Sequence, residues 1–122
     1  MMSCDPRCIG LALTLLFASA ISAQGLSQFE LNDAAEQHRQ ASEFMLAKAY
    51  EQVADLLVGE RLKLLEASQA EWLQYREASL RFISSKYYGG SFAPLIYAQT
   101  AVRMNQDRIA ELTAIHLEEI TP

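Results

Sequence analysis

Apolar residues recur at steps of three and four along three stretches of this chain, which puts each apolar set on one face of a helix. The first stretch opens at Ser27-Gln28-Phe29-Glu30, a capping box whose hydroxyl and carboxylate satisfy free backbone N–H groups. Leu31, Ala34, His38, Ala41, Met45, Ala49, Val53 and Leu56 form its predicted core-facing stripe, while Glu36, Arg39, Glu43 and Lys48 point elsewhere. A second stripe runs through Leu62, Leu65, Gln69, Trp72, Arg76, Leu80, Ile83 and Tyr87 and stops at Gly89-Gly90, a pair that suits a helix C-cap and turn. The third begins after Ser91, tolerates Pro94 in its first turn, and continues through Leu95, Ala98, Val102, Asn105, Ile109, Leu112 and His116.

Only Gly59 separates the first stretch from the second. One glycine inside a helix costs about 1 kcal/mol, so the pattern alone is compatible with either a tight hairpin or one rod kinked at Gly59. No alternating strand pattern with turn signals interrupts the sequence. The predicted fold is all-α, an antiparallel three-helix bundle of long helices. Such thin bundles leave apolar edges, which a homodimer would cover.

The N-terminus follows a different rule. Arg7 and then the apolar run Ile9 to Ala20, followed by the small residues Ser22 and Ala23, have the layout of a secretory signal peptide. A membrane span needs about 20 apolar residues, so this run is short for an anchor, and no stable span is expected after cleavage. Residues 1–23 are therefore read as the signal, with cleavage after Ala23 preferred over Ala20, and residues 24–122 as the mature helical domain of a periplasmic or secreted bacterial protein. Both cysteines, Cys4 and Cys8, fall in the segment to be removed, so the mature domain must hold together by packing.

Charge narrows the partners. The 122 residues hold ten Lys and Arg against fifteen Asp and Glu, a net charge of −5, which argues against nucleic acid and favours a basic protein. Catalysis has no support: the mature chain has no cysteine nucleophile, G-x-S-x-G elbow or phosphate-cradling glycine loop. The two histidines, His38 and His116, give one i, i+3 pairing with a carboxylate, His116 with Glu119, which is too little for a metal site. No metal or other cofactor is expected.

Polar residues on the apolar faces carry more information. Gln69 and Arg76 interrupt the second stripe and Asn105 the third, with Arg108 close by. A buried guanidinium needs a partner, so Gln69, Trp72, Tyr75, Arg76 and Arg108 are read as an internal network fixing helix register, with Glu43 or Glu77 as its carboxylate. Trp, Tyr and Arg are equally the residue types of binding hot spots. The segment Tyr87-Tyr88-Gly89-Gly90-Ser91-Phe92 is the most distinctive loop, and Tyr87, Tyr88, Gly89, Gly90 and Ser91 are the candidate binding residues. Its rings either cap the end of the bundle or insert into a cleft on another protein.

Glu30-Leu31-Asn32, Leu46, Tyr50, Ser68-Gln69, Trp72, Tyr75-Arg76-Glu77, Gly89-Gly90-Ser91 and Arg108 with Glu111-Leu112 together resemble the LprI-like family of small secreted bacterial proteins. This resemblance covers nearly the whole mature chain. It implies an all-helical secreted domain and suggests lysozyme inhibition. Family members commonly carry cysteines where this chain has Ala34, Leu80 and Thr100, and Asn where it has Ala47, so a family disulfide is out of reach here. The leading expectation is a non-catalytic binding protein whose acidic surface meets a basic protein such as lysozyme. The alternative is a structural or assembly module of the bacterial cell envelope.

Overall fold

The computed structural model describes residues 25–122. The predicted signal segment, with both cysteines, lies outside the described residues. Three helices follow in order: α1 over Gln28–Ala54, α2 over Gly59–Ser85 and α3 over Ala93–Ile120. The capping box is formed as the sequence predicts, with the Ser27 backbone N–H donating to Glu30 Oε2 at 2.7 Å and the Glu30 backbone N–H donating to Ser27 Oγ. That backbone bond is the main reason the Glu30 carboxyl is held below its ordinary range.

Gly59 is a hairpin, not a kink. The end of α1 tightens, with the Leu56 N–H donating to Val53 O and the Leu57 N–H to Ala54 O. Leu57 turns inward to the core, and Gly59, at φ +60°, starts α2 in the opposite direction. Cross-helix bonds give the topology. Asn32 reaches Ser91 and Ser42 meets Asn105, so α1 and α3 advance together. Arg61 at the start of α2 pairs with Glu119 at the end of α3, and Arg76 meets Asn105, so α2 runs against α3. The bundle is up-down-up.

The three contacts between helices are unequal. α1 and α3 pack most closely, because Ala35, Ala49, Ala98 and Ala101 are buried and let two backbones approach. α2 lies chiefly against α3 and stands off from α1, leaving an open groove of about 430 Å³ lined by Leu46, Tyr50, Ala70 and Leu73. Leu46, Val53, Leu57, Leu65 and Leu112 form the apolar core near the α1–α2 hairpin.

The predicted stripe on α1 is corrected by rotation. Its buried residues are Ala35, Ser42, Leu46, Ala49 and Val53, so only Ala49 and Val53 of the expected set are buried. Leu31, Ala34, His38, Ala41, Met45 and Leu56 face outward. Apolar residues stand side by side at Ala34-Ala35, Met45-Leu46 and Leu56-Leu57, so the periodicity supports two stripes. The choice between them is made by packing. On α2, buried Ser84 replaces Tyr87 at the end of the stripe, because Tyr87 lies past the last helical residue.

A Cβ at Gly59 would meet open space, so only its left-handed backbone penalises a side chain there. Gly59→Ala should lower unfolding stability by about 1–2 kcal/mol, seen as a lower urea midpoint with an unchanged slope. An unchanged midpoint would mean that the turn tolerates a right-handed residue.

Candidate functional site

Two groups of residues define the chemistry of the molecule: a polar ladder inside the bundle and an aromatic tip at one end. The ladder starts on α1. Arg39 Nε and Nη2 donate to both Glu36 oxygens at 2.8 and 2.7 Å, and Arg39 Nη1 donates to Glu43 Oε1 at 3.3 Å. Glu43 then accepts Arg76 Nη1 from α2 at 2.8 and 2.9 Å. The same nitrogen donates to Asn105 Oδ1 at 2.6 Å, and the Asn105 amide donates to Ser42 Oγ at 2.9 Å. All three helices are thereby joined at one level. Asn105 is fully buried, so its amide needs both partners.

A second cation sits below the first. Arg108 Nε donates to Gln69 Oε1 at 3.1 Å, Nη2 to Ser68 Oγ at 3.1 Å and Nη1 to Glu111 Oε2 at 2.9 Å. Both guanidiniums lie over the Trp72 ring, with Arg76 Cζ 5.4 Å and Arg108 Cζ 5.8 Å from its centroid. Gln69, Trp72, Arg76 and Arg108 are thus brought together. Tyr75 is not: it is 63% exposed and lines a cleft between α2 and α3 with Phe82, Ile83 and Met104, to which the edge of the network contributes Trp72 and Glu111. One helical position separates it from Arg76, and that rotation of about 100° carries its side chain outward.

Of the two carboxylates considered for Arg76, Glu43 is the partner. Glu77 accepts instead from Tyr97 Oη at 2.9 Å and from Arg81 Nε at 3.1 Å, and the tyrosine bond is the first cause of its lowered pKa. Burial is the first cause of the raised pKa of Tyr97.

The tip is the end of the bundle where α1 begins and α2 passes into α3. Gly89 has φ +86°, and the Gly90 N–H closes the turn onto Tyr87 O at 3.1 Å. Asn32 Nδ2 donates to Ser91 O at 3.1 Å and ties the turn to α1. Tyr88 is 65% exposed and Phe92 54%, with Tyr87 turned less far outward beneath the Lys86 ammonium. Phe29, at 78%, joins them on the first turn of α1. Sequence reading did not assign Phe29 or Leu26 to the site, although the signal was present: large apolar residues flanking a capping box and lying off the core stripe.

His38 is exposed and His116 half-buried. Among the described residues, no three His, Cys, Asp or Glu side chains are grouped so as to hold a metal ion.

The ladder makes two predictions. Asn105→Ala leaves Arg76 and Ser42 each short of a buried partner and should cost about 2 kcal/mol or more, measured by chemical denaturation. A loss below about 0.5 kcal/mol would place the ladder outside the stabilising core. Hydrogen bonds from Arg39 draw the Glu36 carboxyl from 4.5 down to about 2. Its contribution is present above pH 4.5, where it is ionised in both states, and is lost as pH falls towards 2. Because Glu36 is half-exposed, that contribution should stay below about 1 kcal/mol, and Glu36→Gln should flatten the stability profile in that window.

A family model described as lysozyme inhibitor LprI matches residues 19–112, a span that includes both the ladder and the tip. No curated protein and no solved structure matches the chain significantly.

Proposed function

The chain belongs to the lysozyme inhibitor LprI family, and from that membership we propose that it is an exported, non-catalytic binding protein that blocks a lysozyme through its aromatic tip. The observation that carries this reading is the outward display of Tyr88, Phe92 and Phe29 on a turn held at both sides. Tyrosine gives a large contact area for little lost side-chain entropy, and a turn fixed by Gly89 and Ser91 has little left to order on binding. The exposed carboxylates Glu30 and Asp33 lie on the first turns of α1 at the same end. With a net charge of −5, the domain attracts a basic enzyme over a distance, which speeds encounter more than it fixes affinity.

The ladder supports the tip indirectly. It joins three helices whose relative rotation decides where the α2–α3 turn and the first turn of α1 meet. Tip and ladder variants therefore separate recognition from fold maintenance.

The test begins with the full chain expressed with export in a bacterial host. Mass measurement of the periplasmic product should place its first residue at Gln24. Titrated against lysozymes at low salt, this product should inhibit, and Tyr88→Ala should weaken inhibition by about tenfold or more with an unchanged melting temperature. Trp72→Ala should act mainly by lowering that temperature. A product that neither binds nor inhibits any lysozyme tested at low salt defeats the reading.

A further inference from the structure

α1 carries two apolar stripes, and the chain covers only one of them. The outward stripe runs through Leu31, Ala34, Ala41 and Met45, and α3 sets Leu95 and Val102 beside it. Between the two parallel helices lie two shallow hollows of about 260 and 410 Å³, which share His38 and Val102 as a waist. Among the described residues, no Asp, Glu, Lys or Arg lines either hollow. The strip extends on helical spacing through Gln52 and Leu56 on α1, with exposed Lys48 at its edge, and through Ile109 and Thr113 on α3. Met45 at its middle is 55% exposed. This face lies away from α2 and begins beside the aromatic tip.

We infer that this face is the contact of an antiparallel homodimer, in which the α1–α3 pair of one copy lies on the α1–α3 pair of a second. Three observations select a second copy as the occupant. A cationic partner finds no carboxylate here, although the domain is acidic elsewhere. Two copies that each carry −5 repel on every charged side, and only a neutral face lets them close without stacking like charges. The size is adequate: the strip from Leu31 to Leu56 is roughly 38 Å long at 1.5 Å per residue, and two packed helices are about 20 Å across. That gives roughly 700 Å² per copy, close to the 800 Å² or so that each partner buries in a stable interface.

The two-fold axis falls near Met45 and Gln106, midway along the strip, so that Leu31 of one copy lies near Leu56 of its partner. Because α1 and α3 point the same way, the two aromatic tips are left free at opposite ends. The dimer is therefore a bivalent display of the tip, but its existence does not depend on what the tip binds.

Sedimentation equilibrium of the exported product, from low to high micromolar concentration, should give twice the chain mass. Ala41→Glu and Met45→Glu are surface changes on the described chain, so circular dichroism should show unaltered helix content. Each should raise the dimer dissociation constant by roughly 100-fold or more, because a carboxylate is then buried at a neutral contact. Phe82→Glu, which removes a still more exposed apolar side chain on the α2 side, should leave the dimer intact. A wild-type monomer at all concentrations overturns the inference. So does a dimer lost through Phe82→Glu but retained by the α1 variants.

Discussion

The hydrogen bond from Asn105 to Ser42 is the constraint on which the rest of this bundle depends. Asn105 is fully buried on α3 and holds the Arg76 guanidinium with its oxygen, so its amide nitrogen must find an acceptor on α1. Ser42 is that acceptor. Once Ser42 faces inward, Ala35, Leu46, Ala49 and Val53 follow it into the core, and Leu31, Ala34, Ala41 and Met45 are turned to solvent. An unpaired buried amide costs about 1–3 kcal/mol, which outweighs the small difference between burying one alanine-rich stripe and its neighbour.

That rotation has consequences at both sides of the molecule. On the core side it sets small residues of α1 against Ala98 and Ala101 of α3, which gives the closest helix pair in the bundle. On the opposite side it leaves a neutral, apolar strip on a chain whose remaining surface is acidic. Glu43 shares the polar flank of α1 with Arg39 and reaches Arg76 across the groove between α1 and α2. The stand-off of α2 is thus spanned by charge, while its contact with α3 is made by Trp72, Gln69 and Arg108.

Trp72 illustrates why family motifs and core patterns overlap in a small domain. Its ring takes two guanidiniums against it, and it is half-buried rather than presented for binding. Tyr75, three positions on, is presented. The aromatic tip differs again: α2 ends at Ser85, and the chain turns through the left-handed Gly89 at the end of the bundle, where nothing packs over Tyr88 and Phe92. Packing, pairing and display are three separate uses of the same residue types.

Much of this was legible in the chain itself. Helix number, the capping box, the turn at Gly89, the start of α3 at Pro94 and the need for partners around Arg76 and Arg108 all follow from local chemistry, which acts within four or five residues. Gly59 marked a break, but its φ of +60° and the inward turn of Leu57 were needed to make it a hairpin. The stripe that α1 buries, the choice of Glu43 over Glu77 and the gathering of Phe29 with Tyr88 and Phe92 at one end were decided by tertiary structure alone. The physical reason is that periodicity fixes only the spacing of a face, whereas which of two adjacent faces turns inward is set by a bond between residues 63 positions apart.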